Sequence, residues 1–185
     1  MIRSRVARAI FRLTGWRMVG SVPRTGIFVG APHTSNWDFV IAVLILWHGG
    51  VSPRILVKKD MFRGPVGWLL RLTGGVPVDR ENASGVVESL ARQAQGGPFL
   101  IAIAAEGTRS RGEHWKSGFY RLSRQTGLPI VLGFVDGPTR TAGIGPSLVP
   151  TGDVRADMDL IRAFYADKRG IYPENRTEPR LRDES

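Results

Sequence analysis

The chain has 185 residues, 42% of them hydrophobic and 23% charged, which is the composition of a globular protein with one domain. It contains no cysteine, and this excludes disulfides, thiolate nucleophiles and cysteine-ligated zinc. The formal net charge of +10 favours nucleic acid, an anionic membrane surface or a phosphorylated substrate as the partner, without choosing among them.

The first predicted element is a basic amphipathic helix over residues 2–16. Apolar side chains recur there at three-to-four residue spacing, with arginines between them. Such a helix either packs one face on the core or lies on anionic lipid with its arginines among the headgroups, and the sequence leaves both open. We find no signal-peptide pattern, and the longest apolar run, residues 39–47, is shorter than the about 20 residues that a spanning helix needs.

Strands and helices then alternate along the chain. Apolar runs predict strands at residues 26–31, 53–59, 76–78, 98–105, 128–135 and 147–154. Periodicity and stop residues predict helices at 36–48 (capped by Thr34 or Ser35), 65–72, 83–95, 117–125 and 157–168. Because buried apolar strands that alternate with helices form parallel sheets, we expect a layered α/β fold: a largely parallel mixed sheet flanked by helices.

Three segments follow from this pattern. Residues 1–20 form the basic N-terminal helix, residues 21–172 form a single α/β domain, and residues 173–185 form a polar tail that we expect to be loose.

His33 and Asp38, in PHTSNWDF, are the first candidates for chemistry. His33 follows a predicted strand and precedes a helix, at the sheet edge where α/β folds collect functional groups. Within one helix, side chains five residues apart point about 140° away from each other, so the two meet only if His33 lies in the loop before the helix. Asp38 can then orient one ring nitrogen while the other acts as a base. Alternatively, Asp38 only caps its helix and His33 fills a turn.

Basic residues follow other predicted strands. Gly107 would let the backbone approach a ligand closely, and Arg109 could hold a phosphate through two hydrogen bonds. The further candidate phosphate partners are Lys58, Arg80 and Lys116. The alternative for the segment at 104–118 is a solvated basic loop. The chain has no G-x-S-x-G elbow, so the histidine would activate the hydroxyl of an acceptor directly, without an acyl-enzyme.

Taken together, these motifs resemble the PlsC-like lysophosphatidate and glycerol-phosphate acyltransferase family. PHTSNWD is similar to its H-x4-D motif, GGVPVDR to its second block, AEGTRS to its E-G-T-R-S block and GLPIVLGF to its fourth block, over residues 26–136. The chain departs from the family pattern at Pro32, at Ala105 and at Leu132 with Gly133, where other residues are usual.

The resemblance implies an O-acyltransferase of phospholipid biosynthesis that takes its acyl group from acyl-CoA or acyl-carrier protein and needs neither cofactor nor metal. It implies that His33 is the general base and that Asp38 orients it. Arg80 and the block of Glu106, Gly107, Thr108 and Arg109 are then associated with binding the acceptor, often through its phosphate.

The same resemblance implies a lysophospholipid acceptor, first of all 1-acylglycerol-3-phosphate, and peripheral association with a membrane from the cytoplasm through the N-terminal helix. A glycolipid or an amino-acid lipid is an alternative acceptor. A basic nucleic-acid-binding domain without catalysis is the alternative from another class. We do not expect nucleic acid as a partner, because no RRM, KH or helix-turn-helix pattern is found.

Overall fold

The computed structural model describes residues 2–52, 54–79, 85–86 and 98–184. Its strands are β1 (Arg17–Val19), β2 (Gly26–Ala31), β3 (Arg54–Lys58), β4 (Gly75–Val78), β5 (Leu100–Ile103), β6 (Ile130–Asp136) and β7 (Thr141–Leu148). The α-helices of the described residues are α1 (Ile2–Leu13), α2 (Asn36–His48), α3 (Gly64–Leu72), α4 (Gly118–Thr126) and α5 (Val154–Tyr165). Short 3-10 helices cover Lys59–Phe62, Pro173–Asn175 and Arg182–Glu184.

All seven strands form one sheet in the order β1-β7-β6-β2-β5-β3-β4. Every neighbouring pair is parallel except β6 with β7. The centre of the sheet is β2, where Phe28 lies opposite Ala102 of β5 and Val131 of β6. The predicted α/β fold with a largely parallel mixed sheet is therefore confirmed.

Helices cover both faces of the sheet, which explains why its central strands are apolar throughout. Successive residues of a strand point to opposite faces. Accordingly Phe28 packs in a core cluster with α1 and α2, whereas Ile27 packs in a second cluster with α4 and α5. The chain moves across the sheet in the same direction from β2 to β3 as from β3 to β4. Because such crossovers are right-handed, α3 lies on the same face as α2.

The last strand differs from the prediction. The prediction of a strand at 147–154 is wrong in its limits, since β7 runs over Thr141–Leu148 and pairs antiparallel with β6. Its sequence, TAGIGPSL, is rich in glycine and has no apolar alternation, so periodicity does not reveal it. The following helix, α5, begins at Val154 rather than 157, because the Asp153 side chain caps it by accepting a hydrogen bond from the Ala156 N–H at 3.0 Å.

The N-terminal helix ends at Leu13, and one of its faces is packed. Ala7 and Phe11 are buried in the cluster that includes α2, whereas Ile2 and Leu13 stay exposed. Immediately afterwards β1 pairs with β7 at the edge of the sheet, so residues 17–19 already belong to it. None of the helices in the described part of the chain has the length and the apolar composition that a bilayer span requires.

The expectation that the C-terminal tail is loose is wrong for its described part. We call residues 171–184 the C-terminal strap. Leu181 is only 2% exposed and belongs to the core cluster beneath α4 and α5. The backbone N–H of Trp115 donates to the Arg180 carbonyl at 2.8 Å, and the Arg162 guanidinium pairs with the Glu184 carboxylate at 2.6 Å. The buried Leu181 and these two contacts fix a segment whose polar composition suggests a free tail.

Two predictions lie outside the described residues. They are the helix at 83–95, of which only residues 85–86 are described, and the position of Arg80.

Candidate active site

His33 lies in the loop that joins β2 to α2, where it must lie if its ring is to meet Asp38. Its backbone N–H donates a hydrogen bond to Oε1 of Glu106 at 2.7 Å. Glu106 follows β5, the strand next to β2, so the bond ties together two loops at the carboxyl edge of the sheet. The two motifs are 73 residues apart in the chain and meet at one carboxylate.

Asp38 sits in the first turn of α2 and organises the loop before it. Its Oδ2 accepts hydrogen bonds from the Thr34 N–H at 2.5 Å and the Ser35 N–H at 2.6 Å, and from the Thr34 hydroxyl at 3.1 Å. Ser35 is the N-cap of α2, and together with Asp38 it forms a capping box. The carboxylate therefore caps the helix, as one of the two interpretations of the motif states.

No hydrogen bond between Asp38 and the His33 ring occurs among the described residues, and the loop's own donors take Oδ2. The other oxygen, Oδ1, is buried and has no hydrogen-bond partner in the described part of the chain. A buried carboxylate oxygen without a donor is costly, so it is a ready acceptor for a ring N–H that turns toward it. Burial also raises the pKa of Asp38, against the lowering effect of its backbone hydrogen bonds.

Glu106 is 2% exposed and spans three segments of the chain. Oε1 accepts from His33, and Oε2 accepts from the Thr177 N–H of the C-terminal strap at 3.4 Å. Burial raises the pKa of the Glu106 carboxyl to about 7. Both oxygens are directed at backbone N–H groups of the protein, so this residue of the predicted acceptor-binding block holds the site together.

The His33 ring is held neutral by its surroundings. Burial, and then the positive charge of Arg109, lower the pKa of its imidazole to about 4. At neutral pH one ring nitrogen therefore has a lone pair available to accept a proton.

Arg109 reaches the start of α2 from the segment that follows β5. Its guanidinium donates a hydrogen bond to the Asn36 side-chain carbonyl, at the first residue of α2. The residue is exposed, so its remaining donors face solvent. An arginine and the positive end of a helix dipole thus converge beside His33, which suits an anionic group.

The other residues of the predicted block line a polar cavity of about 460 Å³. Gly107, Thr108 and Lys116 contribute to its wall, as does Glu106. Gly107 has a positive φ of 68°, and a Cβ at that position would come within 3.1 Å of Cγ of Lys116. The glycine is therefore needed for the turn and for the close approach of Lys116.

Lys58 lies apart from this group. It ends β3, which is two strands from β2, or about 10 Å at ordinary strand spacing. Its ammonium group pairs with Asp60 at 2.6 Å on the exposed surface. The structure thus gathers His33, Asp38, Glu106 and Arg109 at one point, and places Lys58 further along the same edge.

Two threonines of the site escape sequence-based reasoning. The Thr34 hydroxyl oxygen accepts from the N–H groups of Ile171 and Tyr172 at 3.0 Å each, which ties the His33 loop to the strap. Thr177 is buried, and its hydroxyl accepts from the Gly112 N–H at 2.8 Å. Thr34 stands inside the PHTS motif, where the pattern indicates only a helix cap, whereas nothing in the polar sequence around Thr177 marks it. The described residues hold no cluster of His, Asp and Glu suited to a metal ion.

Comparison with known proteins agrees with this geometry. The family model of the acyltransferases matches residues 17–132, which include His33, Asp38 and Glu106. Among solved structures, the chain is similar to the 1-acyl-sn-glycerophosphate acyltransferase PlsC from Thermotoga maritima, with a TM-score of 0.54 and 18% sequence identity over 81% of this chain and 68% of that one. No curated protein matches the chain. The sheet, the motif positions and the match to more than half of the chain show that this protein belongs to the acyltransferase family, with a fold like that of PlsC.

Proposed function

We propose that the protein transfers a fatty acyl chain from acyl-CoA or acyl-carrier protein to a hydroxyl of a lysophospholipid, first of all 1-acylglycerol-3-phosphate. The observation that carries the proposal is the neutral His33 at the carboxyl edge of the sheet, fixed through its own backbone by Glu106 and flanked by Arg109. The similar PlsC is a 1-acyl-sn-glycerophosphate acyltransferase, and this supports the same choice of acceptor.

In the proposed reaction His33 takes the proton from the acceptor hydroxyl. The hydroxyl oxygen then attacks the thioester carbonyl carbon, and the collapse of the tetrahedral intermediate breaks the carbon–sulfur bond. The proton held by His33 passes to the leaving thiolate, so the enzyme ends in its starting state. No acyl-enzyme forms, because the chain has neither a cysteine nor a G-x-S-x-G serine.

Asp38 and Arg109 have separate proposed roles in these steps. The unpartnered Oδ1 of Asp38 accepts the ring N–H of His33 once the ring turns toward it, which fixes the tautomer and stabilises the imidazolium. This hydrogen bond raises the basicity of a ring whose pKa is otherwise about 4. Arg109 and the N-terminus of α2 stabilise the oxyanion or hold the acceptor phosphate.

The substrates would be reached at a membrane surface. The exposed apolar ends of α1, Ile2 and Leu13, and the arginines between them suit an anionic lipid interface. We therefore propose peripheral membrane association through α1 as the setting of the reaction.

The test of this function is His33→Ala in an acyl-transfer assay. Acyl-CoA is offered with a panel of lysophospholipid, lysoglycolipid and amino-acid-lipid acceptors, and the products are read by mass spectrometry. Because general base catalysis contributes about 10²–10⁴-fold, we expect turnover to fall by that factor with the fold intact.

The matched control is His48→Gln. His48 ends α2, about 18 Å from its first residue at the rise of an α-helix, and packs its ring edge-on to Phe11. We expect this variant to keep the parental rate. A His33→Ala enzyme that transfers acyl groups as fast as the parent would contradict the mechanism, and product with none of the acceptors would contradict the function.

A further inference from the structure

Helix α3 turns its apolar side toward solvent. Its buried residues are Gly67 and Leu70, on one narrow side. The remaining arc carries large apolar side chains that are about half exposed or more: Val66, Trp68, Leu69 and Leu72, with Met61 in the preceding turn. A surface helix of a globular domain normally shows the reverse pattern, with its polar side outward.

This orientation is fixed by close packing on the inner side. A Cβ at Gly67 would lie 2.2 Å from the Phe62 carbonyl oxygen, so the helix backbone is pressed against the preceding turn. Leu70 and Phe62 are buried beneath it, and the Gly67 N–H bonds to the Arg63 carbonyl at 3.2 Å. The helix cannot rotate its apolar arc inward without losing these contacts.

Positive charge surrounds the apolar arc. Residues 58–72 carry four cations against the one acid Asp60, and the cations are Lys58, Lys59, Arg63 and Arg71. Arg71 lies over the Phe62 ring at 5.4 Å, at the flank of the helix. An apolar centre with a basic rim is the pattern of a segment that rests in the headgroup region of an anionic bilayer.

The charge also argues against a second copy of this chain as the occupant. Each copy carries a formal net charge of +10, and the rim is of the same sign, so two such surfaces repel each other. An exposed apolar patch without a partner calls for a lipid surface or a protein, and the basic rim favours anionic lipid.

We propose that α3 is a membrane-docking element that inserts Trp68, Leu69 and their apolar neighbours into the interface of an anionic lipid bilayer. This docking is separate from α1 and does not depend on the proposed acyl transfer. It would hold the protein by the sheet face that also carries α2, whose first turns expose Trp37 and Val40 close to His33. A lipid acceptor in the leaflet that α3 contacts would then have a short path to the site.

The experiment compares Trp68→Glu/Leu69→Glu with the matched control Leu160→Glu. Leu160 is 64% exposed and Trp68 is 66% exposed, but Leu160 lies on α5, on the opposite face of the sheet. Co-sedimentation is measured with vesicles of phosphatidylglycerol and phosphatidylcholine, and with vesicles of phosphatidylcholine alone. We expect the double variant to bind mixed vesicles about tenfold more weakly or worse, because burial of two large side chains is lost, and the control to bind like the parent.

A second measurement separates insertion from a change in fold. Brominated lipids in the same mixed vesicles should quench the tryptophan fluorescence of the parent, and Trp68→Phe should lose part of that quenching. Arg63→Gln/Arg71→Gln should remove the preference for phosphatidylglycerol.

The proposal is overturned if Trp68→Glu/Leu69→Glu binds vesicles as well as the parent does while the two proteins have the same circular dichroism spectrum. The proposal is also overturned if the parent is a dimer in solution and Trp68→Glu/Leu69→Glu is a monomer, because a second copy of the chain would then cover this face.

The outcome is independent of the proposed reaction. If the Trp68→Glu/Leu69→Glu variant loses vesicle binding and the parent transfers no acyl group, the docking proposal stands and only the acyltransferase proposal is contradicted. If the parent transfers acyl groups and the substitutions in α3 leave vesicle binding unchanged, the acyltransferase proposal stands and only the docking proposal is contradicted.

Discussion

His33 and Glu106 depart from their ordinary pKa values in opposite directions although a hydrogen bond joins their residues. Burial lowers the pKa of His33 to about 4 and raises the pKa of Glu106 to about 7. At about pH 6 both side chains are therefore mainly uncharged. Two uncharged side chains can be buried together because burial then carries no desolvation cost of an ionised group.

These two pKa shifts predict opposing effects of pH on stability. Between about pH 4 and 6.5 the unfolded chain binds a proton at His33 that the folded chain does not, so stability rises with pH there. Between 4.5 and about 7 folded Glu106 keeps a proton that the unfolded chain releases, so its pKa shift makes stability fall as pH rises. Each effect amounts to about 3 kcal/mol and they largely offset each other in the parent.

Substitution of one of the two residues should reveal the pH dependence of stability that the other produces. We expect Glu106→Gln to leave stability rising with pH through the histidine window, and His33→Ala to leave it falling through the carboxyl window. The measurement is the free energy of unfolding by urea from about pH 4 to about pH 8. Curves parallel to the parent for both variants would show that the two side chains titrate normally in the folded protein.

At the scale of elements, the site depends on the loop between β2 and α2 and on what holds that loop. Thr34 is the link, because its hydroxyl donates to Asp38 and accepts from the backbone N–H groups of Ile171 and Tyr172. The start of α2 and the start of the C-terminal strap therefore share one side chain.

Thr34→Val tests this link. Valine keeps the shape but leaves the N–H groups of Ile171 and Tyr172 without their acceptor. Both hydrogen bonds are only partly buried, so each loss lies toward the lower end of the about 1–3 kcal/mol that an unpaired buried donor costs. We expect a loss of about 2 kcal/mol in the free energy of unfolding, and a fall in kcat as the His33 loop shifts. Thr34→Ser retains the hydroxyl and serves as the control. Equal stability of the two variants would rule out the hydroxyl as the link.

At the scale of the whole molecule, the C-terminal strap closes the core as well as the site. Leu181 fills the cluster under α4 and α5, and Thr177 bonds to Glu106 in the same segment. We expect Leu181→Ala to destabilise the protein by about 2–5 kcal/mol, because it leaves a cavity in a packed core. Leu160→Ala, at an exposed position of α5, should stay within about 0.5 kcal/mol of the parent. Urea unfolding measures both, and an equally mild effect at Leu181 would mean that the strap does not belong to the core.

The sequence predicted the parallel core well, because its strands are uninterrupted apolar runs and their helices carry start and stop residues. Thus β2, β6 and α2 lie close to where the pattern puts them. It did not predict β1 or the limits of β7, whose pairing depends on tertiary contact rather than on a local pattern.

The site was predictable to the same extent. The loop position of His33 was predicted from the condition that its ring meets Asp38, and the gathering of loops from parallel strands that end at one edge. The hydrogen bond from the ring to Asp38 does not itself occur among the described residues. The burial of the Glu106 side chain and its hydrogen bond to Thr177 could not be predicted, because a glutamate beside a glycine and arginines is usually solvated.

The line from His33 through Glu106 to Thr177 has a consequence for how the protein reaches its active form. Its two hydrogen bonds join residues 73 and 71 positions apart. Neither bond can close until β2 and β5 have paired and the strap has docked, so both form late in folding. In refolding from urea, the helical circular dichroism signal should therefore recover before catalytic competence. Acyl transfer would then report the last step of folding, when the strap has docked.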